Sequence, residues 1–144
     1  MTLAALYDGP YNVVYLLHII SVIIGTGAAF VLPLLATRMR AAGTSTDELD
    51  AVSAMVLAPA LLAAGVFGGA LVGLSDDFYD FGQAWLAIGG VVWLVTGAAA
   101  ALAHPPSYLP VPDLARHKAM ITGGLHLSLA IMLVLMVWKF GSPW

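Results

Sequence analysis

The sequence predicts an all-α integral membrane protein: one four-helix bundle with antiparallel neighbours and both termini on the outer side. Three observations carry that expectation. Hydrophobic residues make up 61% of the chain and charged residues 9%, whereas soluble domains run near ~45–50% and ~25%. A soluble chain of 144 residues has no interior large enough to hide so much apolar surface, so its solvent must be lipid. Apolar stretches then recur four times, each reaching the ~20 residues that span ~30 Å of hydrocarbon. Finally, the basic residues segregate. Arg38 and Arg40 fall in the first connector and Arg116 and Lys118 beside the third, while Lys139 stands alone at the other side. Lys and Arg favour the cytoplasmic side, which puts the first and third connectors inside.

The first helix is expected over residues 11–38, just after the breaker pair Gly9-Pro10. The second is expected over 46–74, where Ser45 and Glu48 have the spacing of a capping box. Pro59 lies inside it and should kink it, because proline lacks an amide proton and its ring crowds the preceding turn. The third helix is expected over 81–103, entered from the acidic turn that holds Asp76, Asp77 and Asp80. The fourth is expected over 114–140, with Asp113 as N-cap. The connector 104–112 is rich in proline and should be extended and stiff. Trp85, Trp138, Trp144, Tyr7 and Tyr11 fall near the outer boundary under this threading, where amphipathic rings prefer to sit.

The N-terminus has no basic n-region and no small-residue cleavage site, so the first apolar run is read as a retained span. The absence of cysteine excludes disulfides, thiolate metal sites, iron–sulfur clusters and covalently attached haem. A net charge of −3, spread thinly, offers no basic patch for nucleic acid. Paired intramembrane carboxylates, a phosphate loop and the hydrolase and zinc-protease motifs are also missing. The acidic turn reads as a solvated cap.

Helix association in lipid depends on close backbone approach over small residues. Gly65, Gly69 and Gly73 form such a groove, as do Ser21, Gly25 and Ala29. The plain reading is tight packing within one bundle; an unused groove would instead be a seam for a homo-oligomer or a partner membrane subunit. His18 shares the face of Ser21 and Gly25, and in the fourth helix Thr122, His126 and Ala130 line one stripe.

An ionisable group at membrane depth is costly and marks a functional candidate. His18 and His126 qualify, whereas His104 and His117 belong to helix ends. The options for the deep pair are haem ligation, copper binding and proton relay. The bland option is a neutral imidazole bonded across the bundle. His18 lies about seven residues inside the outer boundary and His126 about thirteen, so at ~1.5 Å per residue their levels differ by roughly 9 Å. That gap disfavours a shared haem and leaves His18, alone or with another partner, as the first candidate. Met55, Met120, Met132 and Met136 are read as filling rather than as a copper site.

His18-Ile-Ile-Ser-Val, Gly25, Gly27 and Leu32-Pro33 resemble the first helix of uncharacterised bacterial four-span proteins, described as predicted integral membrane proteins. Phe81-Gly-Gln-Ala-Trp85 and Met136-Val-Trp-Lys-Phe-Gly141 are similar to that group as well. It resembles in turn the copper-resistance D membrane domain and the J-type protoporphyrinogen oxidases. The likeness implies a four-helix bundle in the bacterial plasma (inner) membrane and haem b or porphyrin binding near His18. Only His18 carries over by position, and the basic turn after the first helix is reduced to Arg38-Met-Arg40. Three functions follow as expectations: a haem-binding redox protein, a non-catalytic scaffold or accessory subunit, and a proton or small-solute conduit.

Overall fold

The computed structural model describes residues 8–103 and 114–140, with the side chains of 114–116 left aside. Four helices account for most of these residues: α1 (Gly9–Ala41), α2 (Asp47–Gly73), α3 (Ala84–Ala103) and α4 (Leu114–Trp138). No strand occurs among the described residues. All four helices are long and apolar enough to cross a membrane, the build of a multi-pass membrane protein. The most extensive contacts join α1 to α2 and α3 to α4, so the bundle is two antiparallel hairpins set side by side. We call the end that holds the start of α1, the α2–α3 connector and the end of α4 the upper end.

The helix boundaries depart from expectation for local reasons. Pro10 lets α1 begin at Gly9, because an amide in the first turn needs no intrahelical acceptor. Helix α1 runs on to Ala41 and stops at Gly43, whose φ of 72° is left-handed while its amide donates to the Arg40 carbonyl. The expected capping box does not form. Ser45 turns instead to Asp47, donating to its carboxylate and accepting its amide, and Thr46 is the N-cap, its hydroxyl donating to the Asp50 carboxylate rather than accepting a backbone amide. Helix α3 starts three residues late because residues 81–83 complete a turn in which the Gly82 amide donates to the Asp80 carboxylate. Helix α4 ends early, at Trp138, because Lys139 adopts a left-handed φ of 44°. Asp113, Tyr7 and Trp144 lie outside the described residues.

Burial follows the small-residue faces. On α1 the buried positions are His18, Ser21, Gly25, Ala29 and Ala36, the face expected from their spacing. His18 is 5% exposed while Ile23, on the opposite face, is 65% exposed. Large aliphatic side chains such as Val13, Val66, Leu94 and Leu127 point outward, an arrangement that water would penalise and lipid does not. The α4 stripe differs from expectation. Leu125, Ser128, Leu129 and Leu135 are buried, His126 sits at the edge and Ala130 is exposed. The packed centre is Ala29, Leu57, Leu61, Ala100, Leu125 and Leu129. Thr96 on α3 donates to Ser128 on α4 across 2.9 Å and so sets the register of the second hairpin.

Candidate functional site

Above the packed centre the hairpins diverge around a cavity of about 710 Å³ walled by all four helices. That volume lies within the ~300–1,000 Å³ of ordinary ligand sites. Aromatic rings form much of its wall, including Tyr11, Tyr15, Trp85 and Trp93. Met132 and Met136 face it from α4, so these methionines line a cavity rather than fill a core.

His18 is the buried titratable group of this wall. Its Nδ1 lies 2.7 Å from the Ala64 carbonyl oxygen of α2. A carbonyl only accepts, so Nδ1 carries the proton and Nε2 is left as a lone pair. Nε2 has no protein partner among the described residues, and the ring lines the cavity. This is the arrangement that prepares a histidine for metal ligation: one nitrogen tied to a carbonyl fixes the tautomer and aims the other. Gly68 makes room for it. A Cβ there would stand 3.2 Å from His18 Cε1, inside normal contact.

Trp93 repeats the pattern from the other hairpin. Its indole Nε1–H donates to the Leu61 carbonyl across 2.9 Å. A side chain at Gly65 would fall within the indole ring, so the glycine is what permits the approach. In both cases the glycine lies four residues after the accepting carbonyl, because that position covers the carbonyl on a helix surface. Of the expected groove on α2, Gly65 is therefore filled by Trp93 of the same chain, and Gly69 lines the cavity. A Cβ at Gly69 or Gly73 would meet nothing within 4 Å beyond its own helix.

His126 has a different task. Its Nε2 lies 2.8 Å from the Ala29 carbonyl oxygen, and its ring stacks on Phe30 at 4.6 Å between centroids. Four residues after Ala29 comes Pro33, which has no amide proton to give that carbonyl. The imidazole N–H replaces the missing helical bond. His126 also lines a second, smaller cavity of about 580 Å³ at the lower end, together with Arg40, Asp50 and Lys118.

The structure does not bring the two histidines together. The acceptor of His126, Ala29, stands eleven residues beyond His18 on the same helix, which is about 16 Å at ~1.5 Å per residue. The separation exceeds the sequence estimate because side chains lean toward the N-terminus of their own helix, and α1 and α4 run in opposite directions. The two cavities share no lining residue, and Leu57, Leu61, Leu125 and Leu129 are packed between them. Among the described residues no group of three or more His, Asp or Glu side chains converges as a metal site.

At the upper mouth, Ser75 organises the α2–α3 connector. Its buried hydroxyl donates to the Val72 carbonyl and accepts the Tyr79 amide. Asp76 and Asp77 take left-handed φ values of 54° and 63° in the same turn, and their side chains stay exposed. The turn carries Tyr79 over the cavity, where it meets Trp85 edge to face at 5.7 Å and accepts a hydrogen bond from Lys139 at 2.8 Å. Spacing alone marks Trp93 only as flanked by Gly90 and Gly97 on the third helix, and marks no role for Tyr79 or Gly68. For Gly68 the signal was present, since it lies one position off the Gly65, Gly69, Gly73 register on the side that faces α1. Comparison with protein-family models, with curated proteins and with solved structures finds no match to this chain.

Proposed function

We propose that this protein binds a b-type haem or a related porphyrin in its upper cavity, with His18 Nε2 as the nitrogen that would hold it. We place it in the bacterial plasma membrane with the upper end outside, as the basic residues of the lower end and the resemblance to uncharacterised bacterial four-span membrane proteins favour. The observation that carries the reading is the bond from His18 Nδ1 to the Ala64 carbonyl, which leaves Nε2 as a lone pair on a cavity of about 710 Å³. A bound haem would supply a one-electron couple whose potential depends on axial ligand and burial. The chain's own share is to hold the imidazole aimed by its bond to the Ala64 carbonyl, to stack and enclose the ring among Tyr15, Trp85 and Trp93, and to keep water from it.

The test is an absorption spectrum of the purified protein in detergent after addition of haemin. A shifted Soret band should appear in the wild type, be lost in His18→Ala and persist in His126→Ala. A wild-type spectrum equal to that of free haemin in the same detergent would overturn the proposal. The rival reading, a scaffold or accessory subunit docking through the α2 glycines, is narrowed to Gly69 and Gly73, since Trp93 already fills the space over Gly65. It requires a pigment-free protein whose association is broken by Gly73→Leu.

A further inference from the structure

The cavity has a polar end as well as a ligating side. Lys139 Nζ donates to the Tyr79 hydroxyl at 2.8 Å and stands 5.0 Å from the centroid of the same ring. Both residues line the cavity that His18 lines. An ammonium has three N–H donors and no acceptor, so at most one of the three is used by Tyr79. The Tyr79 oxygen is already accepting, which leaves its own O–H to point elsewhere. No carboxylate among the described residues comes within 4 Å of Nζ, although Asp76, Asp77 and Asp80 belong to the adjacent connector. These aspartates are exposed, and the Asp80 carboxylate is occupied by the Gly82 amide. Donors therefore stand at the edge of an aromatic and largely apolar wall whose lining, among the described residues, contains no carboxylate.

The backbone of Lys139 adds an independent indication. Its φ of 44° is the left-handed conformation that closes α4, a position that glycine fills with least strain. A lysine in that conformation is strained relative to glycine, and its ammonium stands at the cavity beside the Tyr79 hydroxyl. A charged side chain thus stands where the backbone favours glycine.

We infer that Lys139 and Tyr79 form a carboxylate clamp, so that the ligand of this cavity is an amphiphilic acid with its apolar body inside and its carboxylate at the upper mouth. The ligand's head meets two ammonium donors and one phenolic O–H, and its body meets the aromatic wall. In the porphyrin case, which rests on the function proposed above, Lys139 and Tyr79 would hold the carboxylates and the wall that His18 lines would hold the ring. A long-chain fatty acid presents the same chemistry.

The experiment titrates the whole protein in detergent with four probes: protoporphyrin IX, its dimethyl ester, oleate and oleyl alcohol. Each is run on wild type, Lys139→Gly, Lys139→Arg and Tyr79→Phe. Lys139→Gly suits the left-handed backbone, so it should fold at least as well as wild type while losing the charge. In the wild type the free acid should bind at least about tenfold more tightly than its ester, the range expected for a charge-assisted hydrogen bond. That preference should fall to within about twofold in Lys139→Gly, survive in Lys139→Arg and weaken in Tyr79→Phe. Equal binding of acid and ester by the wild type, or full preference in Lys139→Gly, overturns the clamp. If neither porphyrin binds but oleate is preferred over oleyl alcohol through Lys139, the porphyrin reading fails and the clamp stands for a lipid acid. If no acid is preferred in either pair, the clamp is wrong.

Discussion

His126 donates its ring N–H to the carbonyl of Ala29, the α1 carbonyl that Pro33 leaves without a helical donor. The bond is a repair, and it can be tested as one. His126→Phe keeps the stack on Phe30 and strands the carbonyl, at a cost of about 1–3 kcal/mol. In a Pro33→Ala background the residue-33 amide returns to Ala29, and the same His126→Phe change should cost markedly less. Chemical or thermal unfolding in detergent, run as a double-mutant cycle, measures the difference. Equal penalties in both backgrounds would refute the repair.

Gly68 should control the His18 ring without touching any ligand. Gly68→Ala places a Cβ 3.2 Å from Cε1, close enough to displace the ring by a few tenths of an ångström. The variant should remain folded but bind haemin several-fold more weakly and with a shifted Soret maximum. Gly73→Ala, outside the cavity wall and with nothing within 4 Å of the added Cβ, should leave both readouts unchanged.

Trp93 and Gly65 form a wedge between the hairpins. Gly65→Ala overlaps the indole and should destabilise the bundle by about 1–3 kcal/mol, the usual cost of overpacking. Combining it with Trp93→Phe should recover a substantial part of that loss, because the smaller ring vacates the volume. Unfolding in detergent of the two single variants and the double variant measures the recovery.

The ion pair of Lys118 with Asp50, at 3.1 Å, joins α4 to α2 at the lower end with both side chains partly exposed. Pairs so placed contribute about 0–1 kcal/mol. Lys118→Met should therefore shift the unfolding midpoint little and leave haemin binding untouched, which the same melting and absorption measurements check together.

Most of the helical frame was legible because lipid imposes a simple rule: long apolar runs separated by charge and proline. The α1 face was legible too, since His18, Ser21, Gly25 and Ala29 follow helical spacing and only small residues allow close backbones. What spacing could not show was which carbonyl each polar ring would reach. That depends on the register between helices, fixed by contacts such as Thr96 with Ser128, and pattern within one helix carries no such information. The His126 role was half visible, because Pro33 announces an orphan carbonyl at Ala29; its donor lies 97 residues away along the chain. The α4 stripe was misplaced because every residue near it is apolar or small, so no contrast marks the inward face.

Because the bundle is two hairpins, the groups that meet at the upper cavity do not come from one insertion unit. His18 belongs to the first hairpin and Lys139 to the second, with Tyr79 in the strap that joins them. Each hairpin holds two helices long and apolar enough to cross a membrane, but the pocket wall needs all four. A ligand lodged there would act as a rivet between them, and by mass action its presence would favour assembly over separation. Halves expressed as separate chains, cut within the α2–α3 connector, would then find each other more readily when the ligand is supplied.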